Sequence, residues 1–148
     1  MALKLKPVLL SGIAFGAFSV VAGAILGVLW EFIVPGYSSL YPAQVFRAFN
    51  DPLMQVFFLV PFIEGVIFAY FYESVNKVIS CNTPFERGTT YGLFLFLIGT
   101  VSGLLMTFTS FNVSAMLVVV WVLQGLIILY FGGGILAMVY EKLDSTVH

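Results

Sequence analysis

Charge is what this sequence has least of. Six Lys and Arg and seven Asp and Glu make up 9% of its 148 residues, where soluble domains carry about a quarter. With mean hydropathy +1.08 and 61% hydrophobic residues, the composition excludes an ordinary soluble domain. The near-zero net charge leaves no basic stripe for a nucleic-acid backbone, so no DNA or RNA partner is expected. One Cys (Cys81) and one His (His148) exclude a disulfide framework, a thiol pair, bis-His haem and zinc constellations, so no metal or cofactor is expected. Cys81 is read as an unpaired loop thiol.

What is present is apolar chain in span-length pieces. From Pro7 to Trp30 there is no charge, which exceeds the roughly 20 residues that cross a bilayer. The basic start and Ala22-Gly23-Ala24 also look like a cleavable leader. The run continues past Ala24 and its glycine pattern recurs, so a first span over about 7–34 is the stronger reading. Trp30 and Glu31 then read as an interfacial anchor and a headgroup-level carboxylate, and Pro35-Gly36 as a break. Pro42 to Phe49 is either a short surface-lying helix or a loop.

Asn50-Asp51-Pro52 signals a helix start with Asp51 as N-cap, opening a second span over 53–75. Thr83-Pro84-Phe85-Glu86 is a capping box, opening a third over 84–107. From Gly88 to Tyr140 there are 53 uncharged residues, which as one helix would reach about 80 Å. Two spans are therefore required, divided in the polar cluster from Thr107 to Ser114, with the fourth span over 114–140. The expectation is one all-α transmembrane domain over 1–148, a multi-pass integral membrane protein. Lys4, Lys6, Lys77, Arg87 and Lys142 fall on one side and only Arg47 on the other, predicting cytoplasmic N- and C-termini.

Gly12, Gly16, Gly23 and Gly27 recur as Gly88, Gly92, Gly99 and Gly103, each 76 residues later. Glu64-Gly65 aligns with Gln124-Gly125 at an offset of 60. This predicts two helical hairpins, 7–79 and 83–142, related as parallel repeats by a pseudo-twofold axis along the membrane normal, in contrast to inverted transporter repeats. The eight glycines are read as a packing stripe that lets helices approach closely, with the first and third helices making the tightest contacts. Gly132-Gly133-Gly134 has no counterpart in that alignment and is read as a seat for Tyr72 or for an aromatic from another chain, with a hinge as the alternative.

Glu64, near the middle of the second span, and Gln124 are the candidate site. A mid-membrane carboxylate is costly when charged, so Glu64 is expected to face inward, protonated or paired, with Gln124 or the Phe57 carbonyl freed by Pro61 as partners. Two readings stay open: a neutral hydrogen bond fixing helix register, or a proton or cation site. No His, Cys, Asp or Lys accompanies Glu64 at depth, so no catalytic residue is assigned and an enzyme is not expected.

The run Gly23-Ala24-Ile25-Leu26-Gly27-Val28-Leu29-Trp30 before a Pro-containing loop, with Gly133-Gly134-Ile135-Leu136-Ala137, resembles a group of small, functionally uncharacterised four-span membrane proteins. The resemblance covers the two end helices and implies the fold but no activity. The functional expectation is a non-enzymatic integral membrane protein in the lipid bilayer. It would act through helix packing with itself or as an accessory subunit of another membrane protein. The alternative is a proton- or cation-linked carrier or channel using Glu64.

Overall fold

The computed structural model describes residues 4–41, 47 and 50–146; the segment 42–49, read as a surface-lying helix or a loop, lies outside the described residues except for Arg47. The described chain is all-helical. In order, α1 spans Leu5–Ile33, a 3-10 turn Tyr37–Leu40, α2 Pro52–Phe57, α3 Val60–Val75, α4 Pro84–Leu95, a π-helical turn Phe96–Val101, α5 Ser102–Ser110 and α6 Ala115–Ser145. Taken together these give four stretches long and apolar enough to cross a membrane: Leu5–Ile33, Pro52–Val75, Pro84–Ser110 and Ala115–Ser145.

Local chemistry sets the boundaries. The Asp51 carboxylate accepts from the Leu53 N–H at 2.9 Å and Pro52 takes the first helical position. Thr83 Oγ1 accepts from the Glu86 N–H while a Glu86 carboxylate oxygen accepts from the Thr83 N–H, each at 3.2 Å. Ser114 Oγ accepts from the Leu117 N–H and opens α6. The second span, expected to be continuous, breaks between α2 and α3. Pro61 has no N–H for the Phe57 carbonyl, and its ring crowds that carbonyl, so the chain turns at Phe58 and Leu59 before resuming. The third span has its own irregularity: the π turn sets Thr100 against Gly125, where a Cβ would lie 2.8 Å from the Thr100 methyl.

The first and fourth spans are central. α1 packs on α3 and α6, and α6 packs on α1 and α4. Core packing is concentrated in the half that carries the termini. The buried residues of α1 run from Pro7 to Ser19 and stop, and α5 has none. Val8, Phe15, Ala69, Tyr72, Tyr91, Leu136, Ala137 and Tyr140 form this core, with the Tyr72 ring edge-on to both Tyr91 and Tyr140. At the opposite end a smaller cluster of Val34, Tyr37, Val113, Leu117 and Val120 is covered by the 3-10 turn. There the Tyr37 and Tyr41 hydroxyls lie 2.6 Å apart and Trp121 Nε1 donates to Tyr41 at 3.3 Å. Burial, with the Tyr41 hydroxyl, pushes the Tyr37 phenol above its ordinary range. Glu31 holds the turn by accepting from the Ser38 N–H and hydroxyl.

Candidate functional site

Close approach requires glycine at a few positions, and these lie within hairpins. A Cβ on Gly65 would fall on the carbonyl oxygen of Gly12, and one on Gly12 would lie 2.6 Å from the Val66 backbone. In the second hairpin a Cβ on Gly88 would fall on the Gly133 carbonyl oxygen, and one on Gly133 on that of Gly88. Gly16 and Gly92 sit one turn further along, against Phe62 and Leu129. Dispersion supplies much of the helix–helix attraction in lipid, so backbone-to-backbone contact of this kind matters more than in water. The other half of the expected stripe does not make it. A Cβ on Gly27, Gly99 or Gly103 would have nothing within 4 Å, and one on Gly23 would meet only Gln124 Nε2, at 3.9 Å. The spans diverge towards that end.

The glycine triplet of α6 serves two neighbours at once. A Cβ on Gly132 would lie 2.7 Å from the Phe15 ring of α1 and 3.3 Å from Phe18, whereas Gly133 faces Gly88 and Gly92, and Gly134 faces Phe85, all of α4. A central helix with partners on both sides needs small residues at adjacent positions, because successive side chains point about 100° apart. The aromatics seated there are Phe15, Phe18 and Phe85, not Tyr72.

Glu64 lies on α3, exposed on the bundle perimeter, and Gln124 is half-buried on α6 facing Gly23. Among the described residues no hydrogen bond joins the two or ties Glu64 to the Phe57 carbonyl. The expected inward-facing carboxyl is instead uncovered by its own chain, because the side of α3 turned inward is the one carrying Gly65, Ala69, Tyr72 and Glu73.

The polar groups that do converge sit at the end bearing both termini. Glu141 accepts from the Tyr72 hydroxyl at 2.6 Å and from Arg87 at 2.5 Å, joining the second, third and fourth spans through one carboxylate. Lys4 pairs with Asp144 through its ammonium at 2.5 Å, and its backbone N–H donates to Glu73 at 3.1 Å, which ties the first span to the fourth and second. Tyr91 donates to the Phe68 carbonyl at 2.8 Å, a further polar link between the second and third spans. Arg87 also reaches the carbonyls of Ile79 and Cys81 and so fixes the intervening loop. Cys81 itself lies 3.7 Å from the Thr90 hydroxyl. Charge-assisted bonds among partly buried groups contribute about 1.5–3 kcal/mol each. This clamp holds all four spans where the apolar core is also tightest. An open cleft of about 490 Å³ lies beside it, lined by Asn76, Lys77, Arg87, Tyr140 and Glu141 among others. Glu73 is 5% exposed, and its Oε2 has no partner among the described residues.

In the sequence Lys77 and Arg87 serve only to orient the chain, and the clamp is not visible. The available signal is the Tyr-Glu pair that ends both the second and fourth spans, Tyr72-Glu73 and Tyr140-Glu141. Among the described residues no group of three His, Cys, Asp or Glu is placed to hold a metal ion. The chain matches no protein-family model, and no curated protein or solved structure is detectably similar to it.

Proposed function

We propose that this chain is a non-enzymatic integral membrane protein that works by helix association, as a homo-oligomer or as an accessory subunit of a larger membrane complex. The observation that carries this reading is Glu64, a carboxyl near the middle of the second span, on the perimeter of a four-span bundle with no partner among the described residues. Intramembrane acids nearly always face a protein interior or a wet cavity, and a charged one in lipid costs about 2.5–3.5 kcal/mol or more. A second protein surface over α3 restores that interior. Light scattering in mild detergent tests the reading: a mass above one chain is expected, and a strict monomer with no companion would sink it. The same uncovered carboxyl supports a second reading, a proton- or cation-linked carrier, which vesicle flux unchanged by Glu64→Gln would remove.

The reading includes an internal duplication, with the termini cytoplasmic as the distribution of Lys and Arg favours. The contacts support a different register for the second helices from the offset of 60. Gly12 meets Gly65 and Gly88 meets Gly133, so with 88−12 = 76 the matching offset is 133−65 = 68. At 68, Gly65, Ile67, Ala69, Tyr72 and Glu73 align with Gly133, Ile135, Ala137, Tyr140 and Glu141, and the glycine triplet acquires a counterpart. Glu64 then corresponds to Gly132. Gly132 admits Phe15 and Phe18 of the first span; their counterparts in the third span are Tyr91 and Phe94, and Phe94 is 52% exposed. On this reading a carboxylate standing where the other half has glycine keeps Phe94 off the second span, while Tyr91 still reaches the Phe68 carbonyl. The pseudo-twofold arrangement is broken at that contact.

A further inference from the structure

We propose that α3 is the self-association helix of this protein: two copies pack α3 against α3 about a two-fold axis along the membrane normal, and their Glu64 carboxyls meet at that seam. The proposal rests on the association reading above and names its partner and surface.

Within the unbroken helix Val60–Val75, the residues Val60, Glu64, Ile67, Phe71 and Ser74 are spaced 4, 3, 4 and 3 apart, and all five are exposed. That alternation is the seam of a left-handed helix pair. It lies away from Gly65, Ala69 and Tyr72, which the chain's own core already buries. The apolar members are substantial, Ile67 at 47% and Phe71 at 53% exposed.

Glu64 is the one ionisable residue of this seam, which makes a second copy the matching occupant. Hydrocarbon offers no donor or acceptor at that depth, so a covering surface must bring its own. In a two-fold pair of identically oriented chains each residue on the axis faces its own copy at the same depth. The counterpart of Glu64 is then another carboxyl, and carboxyls are self-complementary when at least one is protonated, since one O–H donates and the facing oxygen accepts. No Lys, Arg or His of the described chain lies between Asp51 and Glu73 on this span to serve instead. One ionisable residue in a seam otherwise made of Val60, Ile67, Phe71 and Ser74 fixes register and copy number, which is what a homodimer needs.

Full-length protein in native membranes, in a Cys81→Ser background, gives the test. Single cysteines at Val60, Ile67 and Phe71 are expected to form disulfide-linked dimers on mild oxidation, while exposed Phe131 of α6 gives little. Dimers linked at Phe131 but not along the seam would overturn the proposal and leave association standing. Cross-linking of the seam cysteines only to a different, heavier protein would overturn it too. No dimer at any position, with a monomeric mass in mild detergent, would overturn both. As a second measurement, Glu64→Gln should keep the dimer, because the amide both donates and accepts. Glu64→Leu should weaken dimerisation by about tenfold; an unchanged dimer in Glu64→Leu would remove the carboxyl pair from the interface.

Discussion

The second and fourth spans end alike and are used differently. Each presses a glycine, Gly65 or Gly133, onto the backbone of the span before it, and each closes on a Tyr-Glu pair near the termini. One residue before that glycine they part: Gly132 lies beneath Phe15 and Phe18, and Glu64 lies open on the perimeter. The fourth span accordingly has helices on two sides and the second span principally one, α1. A single position can thus decide whether a helix face is closed by its own chain or left for another. In membranes the choice is sharp, because approach distance and polar satisfaction carry the energy that hydrophobic burial supplies in water.

Making the two positions alike has the largest expected effect. Gly132→Glu should cost about 3 kcal/mol or more by the usual sum of overpacking and an unpaired buried carboxyl, read as a collapse of thermal stability in detergent. Gly65→Ala and Gly133→Ala come next and should cost about 2–3 kcal/mol each, since both methyls strike backbone oxygens rather than yielding side chains. Gly27→Ala, with open space around it, should cost nothing. Equal tolerance at all three would contradict the hairpin contacts.

Smaller effects separate the two tyrosines. Tyr72 donates to Glu141, whereas the Tyr140 hydroxyl has no hydrogen bond among the described residues. Tyr72→Phe should therefore cost about 1.5–3 kcal/mol, the scale of a bond to a charged group, and Tyr140→Phe close to none. The smallest differences are at the caps. Ser114→Ala should cost about 1 kcal/mol at the start of the fourth span, independent of pH. At the start of the second span the Leu53 N–H, and then the Arg47 guanidinium, hold the Asp51 carboxyl below the usual carboxylate range. A carboxyl depressed in the folded state stabilises at pH values above its unfolded pKa and loses that contribution as pH falls through its folded pKa. The protection factor of the Leu53 amide, taken against its intrinsic exchange rate at each pH, should therefore be highest at neutral pH and fall only below that range, and Asp51→Asn should flatten the profile.

Much of the architecture is legible in the sequence because the signals are local. Uncharged runs of span length, the Asp51-Pro52 start and the Thr83 to Glu86 capping box each act within a few residues, and four apolar helices of spanning length follow from them. Pro61 predicts a freed Phe57 carbonyl, and the same missing N–H and crowded ring also interrupt the helix at Phe58 and Leu59. What is not legible depends on facing directions. Glu64 and Gln124 lie in similar sequence settings, and only the packing of α1 on Gly65 shows that Glu64 points away from the interior. The terminal clamp is equally hidden, since Arg87, Glu141 and Tyr72 come from three spans and look individually like ordinary interfacial residues.

Whether position 64 holds the Phe94 part of the third span away from the second can be measured as a distance. Spin labels on cysteines replacing Val60 and Ile98, both exposed, in a Cys81→Ser chain diluted with unlabelled protein, report the separation of these spans. Glu64→Gly is expected to shorten this distance, as Phe94 closes on the second span in the way Phe15 and Phe18 close on Gly132. A distance unchanged by Glu64→Gly would contradict that role for the carboxylate.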